Sequence, residues 1–162
     1  MVSLNRLSIV MLAALFVGAF SGCENWNKKE ETVVKPLYDR LGGEPAIRAV
    51  VDDFVTRAAA DPKVNFTRKG VPGREWDATP TNVEHLKKML VEFIAVNTGG
   101  PQKYSGRDMR TTHKGMMITN AEFDAIAADL KASLDALKVP AQEQSELMAI
   151  VGTTRKDIVE VK

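Results

Sequence analysis

The chain has 162 residues, 44% hydrophobic and 27% charged, with 22 Lys and Arg against 21 Asp and Glu and a formal net charge of +1. That balance excludes the strong positive field that nucleic-acid binding demands, and a single cysteine excludes a disulfide framework. Stability must therefore come from a packed core, a cofactor or both.

The first residues read as an export signal rather than as part of a fold. Asn5 and Arg6 form a short polar, positive start, Leu7 to Phe20 is almost wholly apolar, and Ser21-Gly22-Cys23 closes the run. The apolar stretch falls short of the roughly 20 residues that a spanning helix needs. Cys23 after Ser21-Gly22 resembles a bacterial lipobox, in which the cysteine becomes the lipid-modified first residue. Phe20 departs from that pattern, which usually has Leu there. An ordinary signal with an incidental cysteine and an uncleaved N-terminal anchor are the alternatives. All three predict a domain outside the cytoplasm, and the first tethers it to a membrane by lipid. Removing residues 1–22 takes away one basic residue, Arg6, and no acid, leaving 21 of each sign. Residues 23–35, with Lys28-Lys29-Glu30-Glu31, read as the lipidated cysteine and a polar tether. Residues 36–162 then form one domain.

Within it, Leu37 to Leu41 is a short helical piece stopped by Gly42-Gly43. Pro45 suits a first helical turn, where its missing N–H is no loss. Ile47, Val50, Val51, Phe54, Val55 and Ala58 follow at three- and four-residue spacing, one apolar helix face that ends at Asp61-Pro62. Residues 63–80 are irregular, broken by Gly70, Pro72, Gly73 and Pro80, with Trp76 isolated and Phe66 the large apolar residue nearest the preceding helix. Thr81 with Glu84 predicts a capping box, opening a helix whose stripe runs Val83, Leu86, Met89, Leu90, Phe93, Ile94 and Val96. Gly99-Gly100-Pro101 stops it. Loop follows, with a turn or two of helix expected around Asp108 to His113. A second box, Thr119 with Glu122, opens a helix carrying Phe123, Ile126, Ala127, Leu130, Leu134 and Leu137. Pro140 opens the last helix, with Leu147, Ile150, Val151 and later Ile158. No segment alternates with period two for long enough to be a strand. The domain is predicted to be all-α, with helices packed around one core.

Three motifs carry a family resemblance. Leu37-Tyr38-Asp39-Arg40-Leu41-Gly42-Gly43 with Ala46-Ile47 is the first. Val91-Glu92-Phe93, Gly99-Gly100-Pro101 and Tyr104-x-Gly106 make the second. Met109-x-x-x-His113-x-Gly115 with Ile118-Thr119 is the third. In this order, residues 37–159 resemble a group I truncated haemoglobin, a shortened globin whose helices pack two over two around haem. The resemblance implies that His113 ligates haem iron from the proximal side. Met109 lies one helical turn before it and shares its face. Taken without the flanking motifs, His113 also reads as a solvated loop histidine.

The apolar walls that haem needs are predicted from the stripes, Phe54, Val55, Leu86, Leu90, Phe93, Ile118 and Phe123, and the resemblance implies that Phe66 matches the phenylalanine that wedges against haem before the distal helix. The same residues also read as a protein-only core. Tyr104, with Lys103, Arg107 and Arg110, lies near the expected rim for the propionates. Met89 falls where some relatives carry a second haem-ligating histidine, and also reads as an ordinary core methionine. His85, one residue before the Leu86 position, reads as off the haem face, and a small helix rotation would bring it in as a second candidate, beside Met89, for the sixth position.

The distal side departs from the family. Many members place a tyrosine after the phenylalanine of the first long helix, where this chain has Val55. The glutamine positions of the distal helix fall on Leu86 and Leu90. A hydrogen bond to bound dioxygen is worth about 1–3 kcal/mol, roughly ten- to a hundredfold in affinity. The expected function is binding of a diatomic gas, O2 or else NO or CO, at haem iron outside the cytoplasm. The alternatives are haem electron transfer with a redox partner, an NO dioxygenase or peroxidase, and a haem-free helical lipoprotein. No catalytic residue is nominated.

Overall fold

The computed structural model describes residues 34–161. The export signal, Cys23 and most of the tether lie outside those residues. Among the described residues seven helices run in order: α1 Leu37–Arg40, α2 Gly43–Ala60, α3 Pro80–Asn97, α4 Met109–His113, α5 Asn120–Ala136, α6 Ala141–Thr153 and α7 Arg155–Ile158. There is no strand among the described residues, only one isolated parallel bridge between Thr119 and Val161. No helix of the described residues is long and apolar enough to cross a membrane. The expectation of an all-α fold holds.

α2 is the axis of the core. It packs against α3 on one side and α5 on the other, α5 packs on α6, and α4 rests on α7. The α2 stripe is buried as its spacing predicts: Ile47, Val50, Val51, Val55 and Ala58 are at most 5% exposed. Leu37 and Leu41 at α1, Val91 and Ile94 from α3, Leu130 and Leu134 from α5, and Leu147 from α6 complete the cluster. Each such side chain contributes about 1.5–3 kcal/mol by leaving water.

The helix starts follow local chemistry. The Thr119–Glu122 box forms as predicted: Thr119 Oγ1 accepts from the Glu122 N–H at 3.1 Å, and Glu122 Oε2 accepts from the Thr119 N–H at 2.9 Å. The box expected at Thr81 and Glu84 does not form. Thr79 is the cap instead, its hydroxyl accepting from the Asn82 N–H at 3.3 Å. The reason is Pro80, which fits the first helical position so well that the helix starts before Thr81. Glu84 pairs with Lys87 at 3.0 Å.

The two glycine hinges touch each other through Tyr38. Its N–H donates to the Thr98 carbonyl at 2.9 Å, and its hydroxyl accepts from the Glu44 N–H at 3.0 Å and Gln102 Nε2 at 2.8 Å. A Cβ on Gly100 would lie 2.6 Å from the Tyr38 ring. Gly100 is therefore required by a close approach, and two motifs far apart in sequence serve one contact.

Candidate functional site

His113 closes α4, a helix of five residues opened by Asp108, whose Oδ1 accepts from the Thr111 N–H at 2.8 Å. The His113 Nδ1 lies 2.8 Å from the Met109 carbonyl oxygen. A carbonyl has no proton to give, so Nδ1–H is the donor and the Nε2 lone pair of the neutral ring is left unshared. Burial pushes the imidazole pKa below its ordinary value. The Met109 bond opposes that shift, Arg68 adds to it and Glu160 opposes it. A neutral ring with one nitrogen anchored to a carbonyl is the state in which histidine ligates a metal.

The apolar residues of α3 differ in depth, and Leu90 and Phe93 pack against the core cluster while staying partly exposed. Val91, Ile94 and Ala95 are buried in the core. Leu86, Met89, Leu90 and Phe93, at the i, i+3, i+4, i+7 spacing of one helix face, are all half-buried. Tyr104 extends that face, its ring edge-on to Phe93 with centroids 5.8 Å apart. The Tyr104 hydroxyl donates to the Arg107 carbonyl at 2.9 Å, and burial raises its pKa. A neutral imidazole with an unshared Nε2 fits an iron ligand, and a half-exposed apolar face on α3 fits a flat, largely apolar porphyrin; α3 and α4 are not among the closely packed helix pairs.

The other predicted residues lie elsewhere in the fold. Val55 is 3% exposed in the core and Phe54 is half-buried against it. Val55 and Phe66 share a cavity of about 490 Å³ with Thr56, Ala59 and Val83. Leu86, Met89, Leu90, Phe93 and His113 do not line it. Phe66 packs edge-on against Trp76, centroids 5.5 Å apart, so Trp76 is not isolated. Phe123 is 5% exposed beneath the Arg155 guanidinium, 4.3 Å from its ring centre. Ile118 is half-buried, its carbonyl accepting from the Glu160 and Val161 N–H groups. His85 is exposed. Arg110, expected near the rim, pairs instead with Asp157 of α7 at 2.6 Å.

Sequence reasoning missed two charged residues next to the site. Arg68 is 7% exposed despite its charge. It donates to the Asn65 carbonyl at 2.7 Å, to the Met116 carbonyl at 3.0 Å and to Glu122. Glu160 accepts from the Gly115 and Met117 N–H groups at 2.7 and 2.8 Å. The capping box marked Glu122, but no local pattern marks the long-range partners of Arg68 or Glu160.

The family model described as bacterial-like globin matches residues 36–160. The chain belongs to the bacterial-like globin family. Haem is the cofactor of this family. The globin is 35% identical to a group 1 truncated haemoglobin of Tetrahymena thermophila over 80% of its own length and 96% of the relative's. It is 34% identical to one from Mycolicibacterium paratuberculosis, over 75% and 82% of the two chains. Among solved structures it superimposes on the Fe(III) form of the Tetrahymena pyriformis truncated haemoglobin with a TM-score of 0.66. That match has 34% identity and covers 77% of the globin and 98% of the other chain. The 2/2 haemoglobin of a Synechococcus species, solved in the cyanomet state with covalently attached haem, matches with the same TM-score. Its identity is 29%, with 77% and 98% of the chains covered. The two-over-two helical globin fold follows.

Proposed function

We propose that this globin holds haem through His113 and binds a diatomic gas at the iron, outside the cytoplasm. The observation that carries the reading is the 2.8 Å contact from His113 Nδ1 to the Met109 carbonyl, which leaves Nε2 for a metal. Met109 lies on the same side of the ligand. Leu86, Leu90 and Phe93 form an apolar wall, Met89 adds to it, and Tyr104 closes its edge through Phe93. The family resemblance, rather than a shared cavity, brings Phe54, Val55, Phe66, Ile118 and Phe123 to the haem: Val55 and Phe66 line a cavity that Leu86, Leu90, Phe93 and His113 do not. Haem, once bound, supplies the iron at which the gas is held.

Val55, Leu86 and Leu90 carry no side-chain hydrogen-bond donor. By the family resemblance all three fall at distal positions, and a dioxygen molecule bound there lacks the charge-assisted bond worth about 1–3 kcal/mol. Fast O2 release follows, with weaker discrimination against CO and NO. Export rests on the apolar run Leu7–Phe20 and on Cys23 as the lipid-bearing residue.

The test of ligation is His113→Gly in the haem-loaded protein. It should abolish the native axial spectrum, and added imidazole should restore it. For export, wild type should partition with membranes and Cys23→Ser should not carry lipid. A Cys23→Ser protein that still incorporates labelled fatty acid contradicts the lipoprotein reading.

A further inference from the structure

Resting on the assignment of His113 as the iron ligand, we propose that Glu160 is a positioning residue for that ligand, acting through the backbone that leaves it. α4 is five residues long, too short to hold its own direction by helix formation alone. Its support comes from α7, the helix it packs against, and from the segment just after α7.

The geometry is specific. Glu160 Oε1 accepts from the Gly115 N–H at 2.7 Å and Oε2 from the Met117 N–H at 2.8 Å. In return the N–H groups of Glu160 and Val161 donate to the Ile118 carbonyl at 2.9 and 3.1 Å. Gly115 has φ +79° and Met117 φ +55°, so the chain turns sharply just past His113. That turn aims both N–H groups at one carboxylate. From the other side Arg68 holds the Met116 carbonyl at 3.0 Å.

The loop after the ligand is thus fixed residue by residue. The Met109 bond sets the tilt of the His113 ring, and the Glu160 carboxylate sets where α4 sits. Hydrogen bonds that backbone N–H groups donate to an ionised carboxylate are the stronger kind. Glu160 is itself exposed, so its replacement removes these two bonds without opening the core.

The experiment uses the full-length haem-loaded globin with Glu160→Ala, Glu160→Gln and Asp157→Asn. Asp157→Asn weakens the Arg110–Asp157 pair, which also joins α4 to α7, but leaves the N–H groups of residues 115 and 117 bonded. The readouts are the iron–imidazole stretching band immediately after photolysis of the CO complex and the rate of haem transfer to apomyoglobin. Glu160→Ala is expected to shift and broaden the band. It should also speed haem loss, by less than the roughly ten- to a hundredfold that follows removal of a partner bonded directly to the ligand.

Glu160→Gln, which keeps one acceptor, should fall between, and Asp157→Asn should leave the band unmoved. A Glu160→Gln protein that matches wild type in both readouts overturns the proposal, and decides it even if Glu160→Ala does not fold. Equal band shifts in Glu160→Gln and Asp157→Asn overturn it too. A His113→Gly protein with an unchanged spectrum sinks the ligand assignment instead, which keeps the two failures apart.

Discussion

Arg68 and Glu122 form an ion pair between the irregular segment after α2 and the first turn of α5. Their side chains are 8% and 18% exposed. Burial raises the Glu122 pKa, but the bonds from Thr119 and Arg68 outweigh it and hold the carboxylate ionised. Glu122→Gln should leave the Arg68 charge buried and unpaired, lowering unfolding stability by about 3–5 kcal/mol. The double variant Arg68→Met with Glu122→Gln should recover part of that loss, because it removes both charges. Urea melts of the four proteins measure the cycle. Additive losses contradict the pairing.

Gly100 and Gly152 should respond in opposite directions to the same substitution. A Cβ on Gly100 meets the Tyr38 ring at 2.6 Å and Gln102 Oε1 at 2.7 Å. Gly100→Ala should cost about 1–3 kcal/mol through overpacking. Gly152 lies in α6, and a Cβ there meets nothing within 4 Å. Gly152→Ala should stabilise by about 0.5–1 kcal/mol by favouring the helix. Thermal melts with the same sign for both contradict this account of the hinge.

A donor restored to the distal face should slow oxygen release. Leu90 sits half-buried on the face shared with Leu86 and Phe93. Leu90→Gln should lower the O2 dissociation rate by about ten- to a hundredfold, with a much smaller change for CO. Stopped-flow displacement measures both. Equal effects on the two gases would count against a dry distal side.

In the haem-free protein the His113 ring should titrate below its ordinary 6.5, because burial disfavours the charged form. The unfolded chain then takes up its proton first as the pH drops. The stability associated with the neutral ring is complete above pH 6.5 and is lost as pH falls through the lower folded value. NMR titration should place the ring below 6.5, and His113→Ala should flatten the acid side of the melting curve. A ring that titrates at or above 6.5 contradicts the burial argument.

Much of this molecule was legible from local pattern. The α2 stripe, the Thr119–Glu122 box, the glycine hinges and the Met109–His113 spacing depend on residues close in sequence, and the structure keeps them. Thr81 misled because Pro80 made an earlier start better. Trp76 read as isolated because its partner Phe66 lies across an irregular segment, where no period links the two. Arg68, Glu160 and the diversion of Arg110 to Asp157 escaped notice for a related reason. Each depends on where the chain returns in space, and single charged residues carry no periodic mark of that. The packing of α4 on α7 rather than on a long helix of its own is what makes those returns matter for His113.

The central claim is that His113 Nε2 ligates haem iron. Ferrous absorption spectra of the haem-loaded globin, taken for wild type and for His113→Gly with and without imidazole, test it most directly. The account predicts a wild-type histidine-ligated spectrum, its loss in His113→Gly, and its return with imidazole. An unchanged His113→Gly spectrum, or no haem uptake by the wild-type protein, would contradict it.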